Sequence, residues 1–176
     1  FFMPVVSGAE FLKAARKGGY AVGGYNTNNL EWTQAILEAA EAKKAPVLIQ
    51  TSMGAAKYMG GYKVAKDMIT NLVDSMNITV PVAIHLDHGD YEAALECIEV
   101  GYTSIMFDGS HLPFEENLKL AKDVVEKAHA KGISVECEVG SIGGEEDGII
   151  GTGELADIEE CKQMVATGID YLACGI

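Results

Sequence analysis

Short runs of apolar, often β-branched residues alternate along the chain with longer segments in which apolar residues recur every three or four positions. The first pattern is typical of buried strands and the second of amphipathic helices. Strands are predicted at residues 21–25, 46–50, 80–86, 104–107, 134–139 and 171–174. Because strands that alternate with helices form parallel sheets covered by those helices, the chain is predicted to be an α/β protein.

The helical segments between these runs carry apolar stripes that we expect to face the core. The clearest stripes are Trp32, Ile36 and Ala39; Leu118, Ala121, Val125 and Ala128; and Ile158, Cys161 and Val165. Glycines that suit helix C-termini follow several segments, at Gly101, Gly132 and Gly168.

Two architectures fit this order, an open doubly wound sheet and a (β/α)₈ TIM barrel. The barrel is favoured because polar residues gather at the C-terminal ends of the strands, where a barrel builds its site. These residues are Asn26, Thr51, Ser52, Asp87, His88, Asp108, Glu136 and Glu138. A TIM barrel needs about 250 residues, so the 176 residues are predicted to supply six of its eight strand-helix units.

Residues 3–176 are therefore predicted to be the N-terminal part of one barrel domain, and Phe1 and Phe2 a non-native addition ahead of a start at Met3. The net charge of −13 disfavours nucleic acid and anionic membranes as partners. Four scattered cysteines without a C-x-x-C pair indicate reduced thiols, and hence a cytoplasmic protein.

The densest chemical cluster is the sequence His85-Leu86-Asp87-His88 at the end of the third predicted strand. His85 and Asp87 share a strand face because side chains alternate with period two, and His88 can turn towards the same mouth. A neutral imidazole is a good zinc ligand, and a neighbouring carboxylate can move protons. The alternative is a pair of core histidines with an aspartate that caps the next helix.

Glu136 and Glu138 also share one strand face. Two buried carboxylates need a cation, an arginine or each other, and the predicted strands contain no arginine. A metal is the simplest explanation, with Asp108 as a further candidate ligand. A solvated strand edge is the alternative, although it fits poorly with a strand flanked by helices.

Residues 140–153 form a glycine-rich segment with three consecutive acids, Glu145, Glu146 and Asp147. We interpret it either as a solvated surface loop or as a lid that carries a carboxylate base into the site. Thr51 and Ser52 precede a glycine that could approach a phosphate, although a plain loop is the commoner explanation. His111 and His129 are expected at the surface.

Several stretches together resemble the class II fructose-bisphosphate aldolases of Gram-positive bacteria. The most specific are His85-Leu86-Asp87-His88-Gly89 and Gly143-Gly144-Glu145-Glu146-Asp147, supported by 19–26, 51–55, 58–61, 104–110 and 136–140. The resemblance runs from Met3 to Ile176. It implies the TIM barrel and a lyase that cleaves fructose 1,6-bisphosphate reversibly into dihydroxyacetone phosphate and glyceraldehyde 3-phosphate, through a zinc-stabilised enediolate, in glycolysis and gluconeogenesis.

The resemblance also implies residue roles. His88 would bind the catalytic Zn²⁺, with Glu138 and Asp108 near an alternative metal position. Asp87 would be the acid-base group at the oxygen of the cleaved bond, and Glu146 would exchange the proton on the dihydroxyacetone phosphate carbon. Asn26 and Ser52 match substrate contacts. The family's other two zinc histidines, and most of its phosphate and monovalent-cation (Na⁺ or K⁺) site, belong after Ile176; a homodimer or higher homo-oligomer is implied.

Four alternatives stand beside this interpretation. One is a class II tagatose-bisphosphate aldolase, and another is an inactive fragment that acts only as a binding module or antigen. A metal-dependent hydrolase barrel would more often carry an H-x-H pair on its first strand, which here ends in Asn26. A Schiff-base aldolase would need a lysine on a strand, and no predicted strand contains one.

Overall fold

The structure is a computed structural model that describes residues 4–141, 143–146, 149–151 and 153–176, with the side chains of 144–146 and 149–151 outside the description. Its strands are β1 (Gly23–Asn26), β2 (Val47–Thr51), β3 (Val82–Gly89), β4 (Ser104–Phe107), β5 (Ser134–Val139), β6 (Gly144–Glu146), β7 (Ile149–Gly151) and β8 (Tyr171–Cys174). All six predicted strands are confirmed. The third differs most, because it continues to Gly89 rather than ending at Leu86.

The helices are α1 (Gly8–Gly18), α2 (Leu30–Lys43), α3 (Met53–Met59), α4 (Tyr62–Ser75), α5 (Tyr91–Val100), α6 (Phe114–His129) and α7 (Ile158–Val165). Gly101, Gly132 and Gly168 follow helices with positive φ angles, as their positions predicted. Within the described part of the chain, no helix is both long enough and apolar enough to cross a membrane.

The predicted stripe of α6 is confirmed, since all four of its residues are buried. The buried face predicted for α2 is wrong by one position along the helix. Trp32 is exposed, and the buried residues are Thr33, Leu37 and Ala40. The helix can bury Thr33 because its hydroxyl bonds the carbonyl of Asn29 over 2.8 Å.

The stripe predicted for α7 is also largely wrong. Ile158 and Val165 are exposed, and Met164 is the buried residue of this helix. Cys161 packs partly against the core. The three- and four-residue spacing predicts a helix correctly but leaves its rotation to the packing partners.

Six strands form one parallel sheet in the order β1-β2-β3-β4-β5-β8, and β6 and β7 form a separate antiparallel hairpin. The order follows the chain without the reversal of a doubly wound sheet. The sheet is therefore the six-stranded part of a TIM barrel, which confirms the predicted fold. The glycine-rich segment contains the β6–β7 hairpin rather than only a loop.

The two faces of the sheet have different compositions. The outer face packs on the helices through a large apolar core that includes Ile49, Ile84 and Val135. On the inner face, Leu48 and Ala83 pack against Phe11 of α1, which covers the N-terminal ends of the strands. One level further along the strands, the register aligns a row of polar residues: Asn26, Gln50, His85, Ser104 and Ser134. The inner face thus changes from apolar to polar towards the C-terminal mouth.

Candidate metal centre and its surroundings

The end of β3 is irregular, and this irregularity places His88. The pairing of β3 with β4 changes register between Leu86 and Gly89, and His88 adopts a left-handed φ of 47°. In a regular strand, His88 would point to the face opposite Asp87. A bulge with a left-handed residue changes the direction of a side chain. Both side chains consequently serve the same mouth, as the sequence predicted.

His88 lies beside two carboxylates from the neighbouring strands. Its Nδ1 atom is 2.8 Å from Oδ2 of Asp108, which follows β4, and 3.7 Å from Oε2 of Glu138 on β5. One ligand atom from each of the three residues lies within 4.8 Å of the other two. The structure therefore brings together all three residues predicted as metal ligands.

The environment of these carboxylates favours a cationic neighbour. Burial opposes ionisation of Asp108, but hydrogen bonds from His88 and Ser110 outweigh it and hold the pKa of Asp108 below its ordinary value. The side chain of Glu138 is only 2% exposed. Its backbone is fixed by Asn117 of α6, whose Nδ2 donates to the Glu138 carbonyl over 3.0 Å. A buried carboxylate beside a second one is expected only with charge compensation.

The donor atoms of His88, Asp108 and Glu138 are of the kinds that zinc accepts. Zinc accepts imidazole nitrogen and carboxylate oxygen at about 2.0–2.2 Å, so two ligand atoms of a tetrahedral site lie about 3.3 Å apart. The separations from His88 to Asp108 and Glu138, 2.8 and 3.7 Å, bracket that value.

Asp87 is held by two amides rather than by the metal ligands. Asn26 donates from Nδ2 to Oδ2 of Asp87 over 2.7 Å, and Gln50 donates from Nε2 to Oδ1 over 2.9 Å. Asp87 is 8% exposed and therefore sits just inside the mouth. It does not cap the next helix, because Asp90 caps α5 by accepting from the Ala93 amide over 2.8 Å. The alternative role for Asp87 as a helix cap is excluded.

A second polar pair lies beneath Asp87. His85 is fully buried, with Nδ1 2.8 Å from the Ser104 hydroxyl and Nε2 3.4 Å from Oε2 of Glu136. Burial, helped by the nearby His88, lowers the pKa of His85 to about 3, so its imidazole is neutral. Burial, together with the charge of Asp87, raises the pKa of Glu136 to about 7. Because the His85 imidazole is neutral, this contact is not an ion pair at neutral pH.

The other residues that the sequence analysis named lie outside the group formed by His88, Asp108 and Glu138, or outside the described side chains. Ser52 is buried and caps α3, with its hydroxyl accepting from the Ala55 amide over 3.2 Å. Thr51 does not face the mouth, because its hydroxyl bonds Tyr102 within the core over 2.8 Å. Glu146 ends β6, but its side chain lies outside the described residues, as do all atoms of Asp147. His129 is at the surface beside Asp170, as expected.

Sequence reasoning missed Gln50 and Asn117. Gln50 ends the predicted second strand, but the prediction named the next two residues, Thr51 and Ser52, instead. One signal was available, since Gln50 is two residues from Ser52 and is the first polar residue after Val47, Leu48 and Ile49. No sequence signal marks Asn117, because it lies on a helix far from the motifs and acts through a backbone carbonyl.

Comparison with known proteins agrees with this geometry. A family model described as "Fructose-bisphosphate aldolase class-II" matches residues 6–176. A fructose-bisphosphate aldolase from Streptococcus pneumoniae is 82% identical over 174 residues, which cover 99% of this chain and 59% of that protein. One from Geobacillus stearothermophilus is 55% identical, with 97% of this chain and 61% of that protein covered.

A structural relative is the YdjI aldolase from Escherichia coli K12, with a TM-score of 0.85 and 29% identity. The comparison covers 98% of this chain and 62% of that one. The chain thus spans about three-fifths of the length of the proteins it matches. From the family match, the order of the strands and the site at their C-terminal ends, it follows that this chain belongs to the class II fructose-bisphosphate aldolase family.

Proposed function

We propose that the protein containing these residues cleaves fructose 1,6-bisphosphate reversibly into dihydroxyacetone phosphate and glyceraldehyde 3-phosphate. The observation that carries the proposal is the convergence of Asp87 with His88, Asp108 and Glu138 at one mouth of the sheet. A carboxylate held beside a metal-binding set suits a reaction that moves a proton while a carbanion forms. The names of the close relatives support the substrate.

The reaction breaks the bond between C3 and C4 of the open-chain sugar. In the proposed mechanism, Asp87 accepts the proton of the C4 hydroxyl as the aldehyde leaves, and the electron pair of the broken bond stays on C3 beside the ketone. Glu146, in its protonated form, then donates a proton to C3, which gives dihydroxyacetone phosphate; in the reverse direction its carboxylate removes this proton as a base. Each proton transfer by a positioned side chain contributes about 10²- to 10⁴-fold.

His88, Asp108 and Glu138 are the residues in this chain that would hold zinc. Bound zinc supplies a Lewis acid that polarises the ketone and stabilises negative charge on the substrate. A catalytic zinc site uses three protein ligands and an open position. The family resemblance places two further histidines after Ile176, so we propose that His88 is the ligand shared between the catalytic position and the one near Asp108 and Glu138.

The finer assignments extend the same proposal. Asn26 and Ser52 are proposed to contact substrate, and the hydrogen bond from Asn26 to Asp87 supports a place for Asn26 at the reacting end. Residues 3–176 are proposed to be the N-terminal part of one barrel domain. We also propose a monovalent cation, a homodimer or higher homo-oligomer, and a glycolytic role in the cytoplasm, on the ground of the family resemblance. The free state of Cys97, Cys137, Cys161 and Cys174 supports a reducing compartment.

A comparison of two epimeric substrates tests the proposal. The complete protein, loaded with zinc, should cleave fructose 1,6-bisphosphate with a larger kcat/KM than tagatose 1,6-bisphosphate, as measured by coupled reduction of the released triose phosphates. A larger kcat/KM for tagatose 1,6-bisphosphate would replace the proposed substrate with its C4 epimer. Absence of cleavage of both sugars would contradict the proposed function.

A further inference from the structure

The amide of Gln50 occupies a position that controls the orientation of Asp87. Its Nε2 atom donates to Oδ1 of Asp87, while Asn26 donates to Oδ2, so each oxygen of the carboxylate receives one hydrogen bond from a different strand. Without these bonds, the terminal torsion of an aspartate is broad. An ionised carboxylate has about four lone-pair sites. The two amides therefore fix the plane of Asp87 and leave its other lone pairs for a proton.

Gly24 makes room for this amide. An ideal Cβ atom at Gly24 would lie 2.2 Å from Oε1 and 3.0 Å from Cδ of Gln50. Gly24 is not among the residues with positive φ, so its backbone conformation does not require glycine. The space occupied by Gln50 is thus the feature that explains a glycine at this point of β1.

Resting on the acid-base role proposed above for Asp87, we propose that Gln50 is a positioning residue for Asp87 and that Gly24 preserves the space Gln50 needs. The pair sets the direction from which Asp87 meets the C4 hydroxyl of the substrate. Proton transfer at Asp87 depends on this direction, whereas proton exchange at C3, assigned to Glu146, does not. Small misplacements of reacting groups cost up to about 10²-fold in rate.

The test uses Gln50→Met, which keeps the length of the side chain and removes its hydrogen-bonding amide, in the complete zinc-loaded protein. The kcat for cleavage should fall about 10- to 100-fold, with KM and bound zinc unchanged within about threefold. Exchange of the C3 proton of dihydroxyacetone phosphate, followed by NMR in deuterated water, should also stay within about threefold of wild type. A merely structural role for Gln50 would lower exchange and cleavage together.

Gly24→Ala should reduce cleavage by a similar factor, and it should add little in the Gln50→Met background, because both changes disturb the same amide. Gly23→Ala is the matched control, since the three atoms nearest to its added methyl belong to Tyr25, an exposed side chain that can move. Equal effects of Gly24→Ala in both backgrounds would overturn the role of Gly24.

Asp87→Ala, measured in parallel, separates this inference from the proposed function. If Asp87→Ala abolishes cleavage while Gln50→Met stays within threefold of wild type, the positioning role of Gln50 is wrong and the proposed function stands. If Asp87→Ala itself leaves cleavage intact, the acid-base role of Asp87 is wrong, and the inference fails with it.

Discussion

Nδ1 of His88 lies 2.8 Å from Oδ2 of Asp108, although 20 residues separate them in sequence. The contact depends on the left-handed backbone of His88 and on the parallel pairing of β3 with β4. In a regular strand, His88 would point to the face of the sheet opposite Asp87. The irregular end of β3 is therefore part of the candidate metal centre.

Replacement of His88 by alanine is expected to weaken zinc binding by the complete protein. The loss of an outer-shell partner typically costs 10- to 100-fold in metal affinity, and loss of a direct ligand should cost at least about 100-fold. Competition with a chromophoric chelator measures the change in Kd. His111→Ala serves as the control, because His111 is exposed and lies outside the metal-binding group. Equal zinc affinities in the two variants would remove His88 from the site.

Asp87→Ala should lower the kcat for cleavage by about 10²- to 10⁴-fold, the usual contribution of a general acid-base group. Zinc content should be retained, because Asp87 bonds Asn26 and Gln50 rather than the metal-binding group. Metal analysis and a coupled assay on the same sample measure both quantities. Asp90→Asn is the matched control, since asparagine also caps helices well. A kcat within about threefold of wild type would exclude the role of Asp87.

Glu146→Gln is predicted to abolish proton exchange on dihydroxyacetone phosphate with little change in its binding. Glutamine keeps the size of the side chain, but it cannot act as the base that an ionised glutamate provides at pH 7. Hydrogen–deuterium exchange followed by NMR reports the step directly. Glu145→Gln is the control on the same strand of the hairpin. Undiminished exchange in Glu146→Gln, with loss in Glu145→Gln, would transfer the base to Glu145.

Glu41 provides a test of stability that is independent of the site. Lys44, the amide and hydroxyl of Thr79, and the Val80 amide all donate to its carboxylate and lower its pKa from 4.5 to about 2. A carboxyl whose pKa is lower in the folded state than in the unfolded state stabilises the fold when it is ionised. This contribution is fully present above the unfolded pKa of 4.5, and it is lost as the pH falls towards the folded pKa of about 2. Glu41→Gln should therefore be less stable than wild type at pH 6 and approach it near pH 2.

Urea denaturation at several pH values measures this difference on the complete protein. The difference should also shrink in high salt, because Glu41 and Lys44 are close to solvent. Glu10→Gln is the control, since Glu10 is an exposed glutamate whose ion pair with Lys13 is 3.5 Å long. A Glu41→Gln difference that stayed constant from pH 6 to pH 2 would contradict the assigned cause.

The sequence was sufficient to predict the elements whose signals are local. Strands β4, β5 and β8 have the predicted bounds, because each is a short run rich in apolar residues that ends at a polar residue or a glycine. The proximity of the three candidate metal ligands was also predictable, since side chains at the C-terminal ends of parallel strands share one edge. The glycine-rich segment gave no reliable signal for the β6–β7 hairpin, because glycine disfavours strands.

Features that depend on tertiary contacts were not predictable. The exposed Trp32 shows this, because the rotation of α2 is decided by the hydrogen bonds of buried Thr33 with Asn29 and Thr27. The role of Gln50 depends on a register that pairs it with Asn26 and His85, and period alone does not determine register. The left-handed conformation of His88 likewise follows from the shifted pairing of β3 with β4.

Zinc-dependent cleavage by the complete protein is the most direct test of the central claim. The protein should be stripped of metal with a chelator, and zinc returned in steps while cleavage of fructose 1,6-bisphosphate is followed in a coupled assay. We predict no turnover without metal, recovery in proportion to the zinc bound, and no recovery in the His88→Ala variant. Full turnover by the metal-free protein, or inactivation by borohydride in the presence of substrate, would contradict the claim, because a lysine Schiff base would then carry the reaction.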